Sequence, residues 1–270
     1  MKSTSITRSP GKVFLVGAGP GDVELLTLKA ARLLASADVV LIDDLAGDDV
    51  LALCPQARVI HVGKRGGCKS TPQSFIEKLL VREALAGHTV VRLKGGDVSL
   101  FGRSSEEMAA LEAAGIEFEI VPGVTAGIAA AAELRASLTH RDHAHGVAFI
   151  TAHGAEGAEI PWQSLAQSAL TLVVYMGVAR AASLQQSLLD GGLPGNTPVI
   201  AVENASRLDA RKVCATVATM VHEFAAQSLK SPAVLVIGEA MAARAMQLAA
   251  DAGEATPRAN DRASIRRVVA

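Results

Sequence analysis

Three glycine-rich turns in the first half of the chain each follow a short apolar run. They are Gly17-Ala18-Gly19-Pro20-Gly21-Asp22, Lys94-Gly95-Gly96-Asp97 and Pro122-Gly123-Val124-Thr125-Ala126. Glycine lets a backbone approach a ligand closely, and turns that follow strands of an open α/β sheet are where ligands usually bind. Each turn alone is a weak signal that an ordinary bend would also explain. Their shared position after apolar runs makes them the candidate ligand-binding segments.

The first turn is also similar to the phosphate-binding turn of dinucleotide-binding folds. Such folds place an acidic residue about twenty positions further on, which Asp43 could mimic. A NAD(P)-dependent oxidoreductase is therefore the alternative from a different functional class. Against it, Asp22 puts a carboxylate where a pyrophosphate would approach, and Pro20 removes an amide donor. We expect this turn to face a ligand that lacks phosphates.

Charged side chains that could meet a substrate form three short clusters. These are Lys64-Arg65 with Lys69, Arg103 with Glu106, and His140-Arg141-Asp142-His143. Each cluster could equally be solvated surface. Glu107 stands three residues after Ser104, so a helix capping box would explain it. The spacing of His140, His143 and His145 matches no zinc-ligand pattern and no Cys pair accompanies it, so we expect no metal site.

The elements that must position these residues are indicated by short β-branched runs that alternate with Ala- and Leu-rich stretches. We predict strands at Val13–Val16, Val39–Ile42, Val59–Val62, Thr89–Leu93, Phe118–Val121, Val147–Thr151, Thr171–Met176, Pro198–Glu203, Val213–Thr216 and Val234–Ile237. We predict helices at Leu25–Ala35, Asp48–Leu53, Pro72–Ala86, Ser105–Ala114, Arg180–Leu189 and Val217–Ala226, and one more after Pro122. This alternation predicts an α/β fold with a largely parallel sheet covered by helices.

The length of 270 residues predicts two domains, since one domain takes roughly 150 residues. A polar segment at Thr139–Gly146 shows neither helical nor strand periodicity, and we place the connection there. The predicted N-terminal α/β domain covers 12–138 and the predicted C-terminal α/β domain covers 146–245. Residues 1–11 and 249–270 are expected to be flexible tails, because they are rich in polar residues, Gly and Pro.

Composition narrows the range of partners. The 26 Lys and Arg against 27 Asp and Glu give a net charge of -1, without the basic field that nonspecific nucleic-acid binding needs. The cysteines Cys54, Cys68 and Cys214 are widely separated, which favours reduced thiols. Neither a secretory signal nor a run of about 18 apolar residues is evident. We therefore expect a cytoplasmic protein with no nucleic-acid and no membrane partner.

Taken together, seven segments in a fixed order identify a family. They are Val16-Gly17-Ala18-Gly19-Pro20-Gly21-Asp22, Val62-Gly63-Lys64-Arg65, Arg92-Leu93-Lys94-Gly95-Gly96-Asp97, Phe101-Gly102-Arg103, Val121-Pro122-Gly123-Val124-Thr125-Ala126, Leu138-Thr139-His140-Arg141-Asp142 and Val174-Tyr175-Met176-Gly177. This set resembles the uroporphyrinogen-III C-methyltransferases of the tetrapyrrole methylase family. One such segment is easily found by chance, whereas seven in order through both predicted domains are specific.

The resemblance implies two α/β domains of the tetrapyrrole methylase type with the active site in the cleft between them, and a homodimer. It implies S-adenosylmethionine as cofactor, with S-adenosylhomocysteine as its product. The positions that match cofactor contacts are Pro20, Gly95, Gly96, Asp97, Leu100, Thr125, Ala126, Met176 and Ala205. Asp43 and Lys64 match the family's proposed proton acceptor and donor, and Arg103 is a third candidate catalytic residue. Arg103, Glu106 and Arg141 match positions around the substrate.

The implied reaction methylates uroporphyrinogen III at carbons 2 and 7 and gives precorrin-2, an intermediate of sirohaem and cobalamin biosynthesis. A porphyrinogen with eight carboxylates needs Arg or Lys partners. The chain departs from the family pattern at several positions. Asp44 stands for an arginine, Val98-Ser99 for Pro-Phe, Ser104-Ser105 for Gly-Gly and His143 for a tyrosine. A related precorrin methylase and a noncatalytic tetrapyrrole-binding paralogue therefore stay open as alternatives.

Overall fold

A computed structural model describes residues 9–63, 71–153 and 160–254. The chain divides into two compact units. The first comprises Met1–Glu133 together with Val202–Arg211, and the second comprises Leu134–Ala201 together with Lys212–Ala270. The domain limits 12–138 and 146–245 stay a prediction. The short segment Val202–Arg211 groups with the first unit, although the sequence order alone places it inside the second predicted domain.

The first unit contains a sheet of five parallel strands. The strands are β1 Val13–Gly17, β2 Val39–Ile42, β3 Arg58–His61, β4 Val90–Lys94 and β5 Phe118–Val121, in the order β3-β2-β4-β1-β5. The helices along this part of the chain are α1 Leu28–Leu34, α2 Gln73–Leu85, α3 Ser104–Ala113 and α4 Ala126–Leu134. This is the parallel, helix-covered sheet that the alternating sequence pattern predicts.

Both faces of this sheet are buried, which explains why its strands are continuous apolar runs. All four residues of β2 are at most 1% exposed. Val39 and Leu41 pack in one cluster with Leu80 of α2, while Val40 and Ile42 pack in a second cluster with Leu34 of α1. Successive side chains of a strand point to opposite faces, so one short run serves both cores.

The second half of the chain contains a mixed sheet of five strands. The strands are β6 Val147–Thr151, β7 Thr171–Tyr175, β8 Pro198–Glu203, β9 Arg211–Thr216 and β10 Ala233–Ile237, in the order β6-β7-β10-β8-β9. β7 pairs parallel with β6 and antiparallel with β10. The helices are α5 Trp162–Ala166, α6 Ala181–Asp190, α7 Met220–Ala226 and α8 Ala242–Glu254. Among the described residues, no helix combines the length and the apolar character needed to cross a membrane.

All ten predicted strands are confirmed, and most differences lie at helix ends. The helix predicted from Leu25 begins at Leu28 because the side chain of Thr27 accepts a hydrogen bond from the backbone N–H of Ala30, which caps the helix there. The segment predicted as a helix at Asp48–Leu53 is a 3₁₀ helix at Asp49–Leu53.

Two helices were not predicted, α5 and α8. Residues 249–254, which the sequence assigns to a flexible tail, are the last residues of α8. The physical reason for this helix is the high helix propensity of an Ala-rich segment, which outweighs the polar residues near its end. The rest of the predicted tail, residues 255–270, lies outside the described residues.

Candidate active site

The candidate ligand-binding segments follow four strands that are neighbours in the first sheet. β2 is followed by Asp43, β4 by Gly95–Asp97, β1 by the turn at 18–22, and β5 by the turn at 122–125. Because these strands are parallel and adjacent, their carboxyl ends meet at one edge of the sheet. The structure therefore brings Pro20, Asp43, Gly95–Asp97 and Thr125 to the same edge, as the sequence predicts.

Glycines allow three of these turns to touch through their backbones. Gly19 and Gly96 exchange two hydrogen bonds, from Gly19 N to Gly96 O at 3.1 Å and from Gly96 N to Gly19 O at 2.7 Å. A Cβ atom on Gly17 would lie only 2.6 Å from the backbone N of Gly123, and one on Gly123 would overlap the carbonyl oxygen of Gly96. Any side chain at Gly17 or Gly123 would therefore push the turns apart.

Gly96 differs from Gly17 and Gly123 because the space beside it is open. Its φ is +71°, and the nearest atoms to a Cβ built there are Ala126 N and Thr125 Cα, both at 3.9 Å. Thr125 is buried and Ala126 is half-buried. The backbone of Gly96 thus faces free space bordered by the turn after β5, which is the geometry expected of a glycine that a ligand approaches.

Asp97 fixes the turn after β4 to its neighbours. Its Oδ1 accepts a hydrogen bond from Ser99 N at 2.8 Å, and its Oδ2 accepts one from Gly123 N at 2.9 Å. Leu100 N donates to Asp97 O at 3.4 Å, which closes the same turn. Both carboxylate oxygens of Asp97 therefore already have a backbone donor, and the side chain connects the β4 and β5 turns.

Asp43 is held at the end of β2 by backbone donors. Gly95 N donates to its Oδ1 at 3.2 Å and Leu45 N donates to the same oxygen at 3.2 Å. The Nη2 atom of Arg92 lies 3.9 Å from its Oδ2, and the Asp43 side chain is 25% exposed. The carboxylate is therefore oriented but still accessible. Lys64, the predicted proton donor, lies outside the described residues.

Arg103 and Glu106 form an exposed bidentate pair at the start of α3. Arg103 Nε donates to Glu106 Oε1 and Arg103 Nη2 to Glu106 Oε2, both at 2.8 Å. These bonds raise the pKa of Arg103 and lower the pKa of Glu106. Arg103 has a φ of +54°, and the next residue, Ser104, donates from Oγ to the carbonyl of Val98 at 2.6 Å. Glu106 therefore orients Arg103 directly.

Ala205 reaches the first turn although it is far away in sequence. It belongs to the segment that groups with the first unit and is 6% exposed. The next residue, Ser206, accepts a hydrogen bond from Asp22 N at 3.2 Å, and Arg207 Nη2 donates to Leu45 O at 2.8 Å. These bonds hold the turn that contains Ala205 beside the turn that contains Pro20.

Two predicted site residues, Arg141 and Met176, belong to the second unit. Met176 directly follows β7, has a φ of +55° and is 46% exposed. Arg141 is exposed and lies in the turn closed by the hydrogen bond from Ala144 N to His140 O at 2.9 Å. The imidazole rings of His140 and His143 stack with their centroids 4.6 Å apart. Arg141 and Met176 are therefore each accessible at the surface of the second unit.

Glu107 is a residue for which the sequence predicts the wrong partner. The capping box with Ser104 is wrong, because the Ser104 hydroxyl bonds to Val98 and Glu107 is fully buried. Its carboxylate accepts from Arg92 Nε and Lys94 Nζ, each at 3.0 Å. The available signal was the pair of cations two residues apart in a strand that is otherwise apolar. Two charges on one face of a buried strand require a counter-ion.

Comparisons with known proteins agree on one family. The sequence model of Tetrapyrrole (Corrin/Porphyrin) Methylases matches residues 12–221. The chain is 52% identical over 229 residues to a uroporphyrinogen-III C-methyltransferase of Pseudomonas aeruginosa, which covers 85% of this chain and 94% of that protein. It is 46% identical over 235 residues to a siroheme synthase of Escherichia coli, covering 87% of this chain but 51% of that longer protein.

Solved structures show the same fold. A uroporphyrin-III C-methyl transferase from Thermus thermophilus, complexed with S-adenyl homocysteine, has a TM-score of 0.75 and 41% identity over 86% of this chain and 93% of that chain. A cobalt precorrin-4 methyltransferase of cobalamin biosynthesis has a TM-score of 0.77 and 30% identity over 85% of this chain and 95% of that chain. The α/β fold with two five-stranded sheets is therefore that of tetrapyrrole methylase structures.

Proposed function

Because the chain belongs to the tetrapyrrole (corrin/porphyrin) methylase family, we propose that it transfers methyl groups from S-adenosylmethionine to uroporphyrinogen III. The product is precorrin-2, methylated at carbons 2 and 7. The observation that supports this most is the glycine-lined edge of the first sheet, where open space lies beside Gly96 and the preceding residue, Gly95, donates a hydrogen bond to the Asp43 carboxylate. A place for a cofactor and a candidate proton acceptor are thus built on neighbouring strands.

The residues at this edge fit a ligand without phosphates. Pro20 offers no N–H, and the carboxylate of Asp22 caps the following 3₁₀ helix by accepting from Glu24 N at 2.9 Å. The proposed cofactor contacts are Pro20, Gly95, Gly96, Asp97, Leu100, Thr125, Ala126 and Ala205, and, on the ground of the resemblance alone, Met176. When bound, S-adenosylmethionine supplies the methyl group that a pyrrole carbon of the substrate takes up, leaving S-adenosylhomocysteine.

Asp43 is the proposed proton acceptor. A substituted pyrrole carbon that gains a methyl group becomes saturated and leaves its ring cationic. Loss of a proton from another position of the macrocycle neutralises that charge, and a positioned carboxylate can take the proton. The N–H groups of Gly95 and Leu45 fix the direction of the Asp43 carboxylate, while a quarter of the side chain stays exposed to a substrate. Lys64 remains the proposed proton donor on the ground of the resemblance alone.

Arg103 and Arg141 are the proposed partners of the substrate carboxylates. Both are exposed, and arginine forms charge-assisted bidentate hydrogen bonds with carboxylates. Glu106 is proposed to keep Arg103 in its orientation, since both Glu106 oxygens bond to that guanidinium. The remaining carboxylates of the macrocycle need further cations, for which Lys64 and Arg65 are candidates.

A related precorrin methylase is the second candidate, because one departure from the family pattern has a structural consequence. Ser104 stands where the family usually has glycine, and its hydroxyl binds the carbonyl of Val98, itself a departure. This buried bond closes the loop that contains Leu100 and Arg103 in a way that glycine cannot. The oxidoreductase alternative is set aside, because the family match extends over residues 12–221.

The homodimer and the cytoplasmic location expected from the resemblance belong to the same proposal. The assembly is tested by size-exclusion chromatography with light scattering, where a mass of twice 27.8 kDa is expected. The molecular mass of a monomer at micromolar concentration would contradict the proposed homodimer.

The cofactor site is tested by titrating the purified chain with S-adenosylhomocysteine and, separately, with NAD in a calorimeter. Binding of the first and none of the second is expected. Gly96→Val should weaken S-adenosylhomocysteine binding by about a hundredfold or more, because the side chain fills the approach space. Gly115→Val is the matched control, because Gly115 has a similar φ of +66° and equally open surroundings at the end of α3. Unchanged binding by Gly96→Val would contradict the loop assignment.

A further inference from the structure

A buried group of three charged side chains lies beneath the proposed site. Glu107 of α3 accepts hydrogen bonds from Arg92 Nε and Lys94 Nζ of β4, both at 3.0 Å. The side chains of these residues are 0%, 5% and 4% exposed, respectively. Removing charges from water costs several kcal/mol per ion, so such a group persists only when its geometry and its charge balance are good. None of these residues has a role in the proposed reaction so far.

Arg92 connects this buried group to Asp43. Its Nε bonds to Glu107, its Nη1 donates to Leu93 O at 2.9 Å, and its Nη2 lies 3.9 Å from Asp43 Oδ2. The last distance is too long for a hydrogen bond and short enough for ionic attraction. The guanidinium therefore has Glu107 on one side and the proposed proton acceptor on the other.

Lys94 extends the group toward the turns of the site. It directly precedes Gly95, whose N–H donates to Asp43, and its aliphatic end lies against Gly102, where a Cβ would be 2.9 Å from Lys94 Cε. Burial lowers the pKa of Lys94, as does the charge of Arg92, whereas Glu107 and Asp43 act in the opposite direction. Glu107 therefore opposes the lowering of the Lys94 pKa.

The four charges balance, since Arg92 and Lys94 are matched by Glu107 and Asp43. Without the Glu107 charge, both cations would face Asp43 as the nearest remaining carboxylate of the group. Arg92 Nη2 would need to move by about 1 Å to reach hydrogen-bond distance. An Asp43 carboxylate bound in that way has less freedom to accept a proton from a substrate.

We propose that Glu107 is a positioning residue of the methyl-transfer site, which holds Arg92 and Lys94 and so leaves the Asp43 carboxylate available as proton acceptor. The inference rests on the proposed function. It assigns to the second glutamate of α3 a role distinct from that of Glu106, which orients Arg103. Glu107 contacts neither cofactor nor substrate in this scheme and acts only through its two cations.

The test compares turnover of the full-length variants Glu107→Gln and Lys94→Met/Glu107→Gln with that of the unchanged chain. Glu107→Gln should lower kcat about tenfold or more, with the KM for uroporphyrinogen III within about threefold. The double variant removes one charge of each sign and restores the balance. Its kcat should therefore recover at least about fivefold relative to the single variant, because the two changes are coupled. Glu112→Gln, an exposed glutamate of the same helix, is the control and should match the unchanged chain.

If Glu107 had a purely structural role, the double variant would be no more active than Glu107→Gln, because a second change in the core would destabilise the fold further. A double variant no more active than Glu107→Gln would overturn the inference, as would an unchanged kcat in Glu107→Gln. If Glu107→Gln does not fold, Glu107→Asp replaces it, since the shorter carboxylate also releases the cations. A kcat loss of about fivefold is expected there, and none would overturn the inference.

A second measurement separates this inference from the proposed function. The pKa of Lys94 is followed by NMR of the chain labelled at lysine Cε, in the unchanged protein and in Glu107→Gln. The groups that face Lys94 are Arg92, Glu107 and Asp43, with Glu106 nearby. Loss of Glu107 should lower the pKa of Lys94 further, whether or not the chain methylates anything. An unchanged pKa overturns the inference, whereas absence of turnover by the unchanged chain overturns the proposed function.

Discussion

Two neighbouring residues of α3, Glu106 and Glu107, show how differently the same side chain acts in two environments. Glu106 is 46% exposed and pairs with Arg103, three residues earlier at the N-cap of α3. Glu107 is fully buried and pairs with Arg92 and Lys94, which reach it from a strand. Water competes with the first pair, whereas the second has exchanged water for protein partners. The exposed pair can therefore serve binding, while the buried group stabilises the fold and is proposed to position the groups around Asp43.

The largest expected effect comes from removing the buried carboxylate. Glu107→Ala should lower the free energy of unfolding by about 3–5 kcal/mol, because two buried cations are left without their hydrogen-bonded partner. Urea unfolding followed by circular dichroism measures this loss. A change below about 1 kcal/mol would mean that the buried group contributes no more to the free energy of unfolding than a surface ion pair does. Glu106 and Glu107 would then not differ in their effect on stability.

The exposed arginines should affect substrate use and leave the fold intact. Arg103→Ala and Arg141→Ala should each cost about 2 kcal/mol of binding to a carboxylate of the substrate, the low end of the range for charge pairs at interfaces. This corresponds to about a thirtyfold lower kcat/KM for uroporphyrinogen III. Steady-state kinetics measures it, with unfolding curves and S-adenosylhomocysteine affinity unchanged. Arg32→Ala, an exposed arginine of α1, is the control.

A second buried carboxylate, Glu83 of α2, sharpens the comparison through its dependence on pH. Burial alone would raise the pKa of Glu83, but hydrogen bonds from Arg82, Arg58 and His88 outweigh it and lower the pKa below 4.5. A carboxyl whose pKa is lower in the folded state stabilises the fold above its unfolded pKa. That contribution is lost as the pH falls through the folded pKa.

Glu83→Gln should therefore reduce the acid sensitivity of the fold. The melting temperature of the unchanged chain should fall more steeply below pH 4.5 than that of the variant. Differential scanning calorimetry at a series of pH values measures the two slopes. If the melting temperatures of the two proteins fell in parallel with pH, the Glu83 carboxylate would not be stabilised by its cations. The change in stability is expected to be smaller than that caused by Glu107→Ala.

The smallest expected effect on stability is that of Glu106→Gln. An exposed pair three residues apart on one helix contributes about 0–1 kcal/mol, so the unfolding curve should hardly move. The KM for uroporphyrinogen III should rise instead, because Arg103 loses the partner that orients it. A loss of stability as large as that of Glu107→Ala would contradict the distinction between the two glutamates.

The sequence predicted the elements of this fold and the edge where the candidate site lies, because both depend on local pattern. Strands buried on two faces must be apolar runs, so β2 is evident from four consecutive apolar residues. Glycine turns after such runs predict Gly96 as a ligand-facing position for the same local reason, and the structure has open space beside it. Helix ends were less certain because a single side chain, such as Thr27, decides them.

The sequence did not predict the contacts between distant segments of the chain. A capping box is a local rule and gave the wrong partner for Glu107, whose actual partners lie 13 and 15 residues earlier in the chain. The hydrogen bond between Ser206 and Asp22 joins positions 184 residues apart, and no periodicity indicates it. Only the resemblance to a family predicts Ala205 as a site residue, because an ordered set of motifs includes information on tertiary structure that one local window lacks.

The most direct test of the proposed activity is a single anaerobic turnover measurement. The purified chain is incubated with reduced uroporphyrinogen III and S-adenosylmethionine that contains a trideuterated methyl group, and the tetrapyrrole is analysed by mass spectrometry. The proposal expects a product that has gained two trideuterated methyl groups, at carbons 2 and 7, together with S-adenosylhomocysteine. A tetrapyrrole of unchanged mass, obtained with a folded chain that binds S-adenosylhomocysteine, would contradict it.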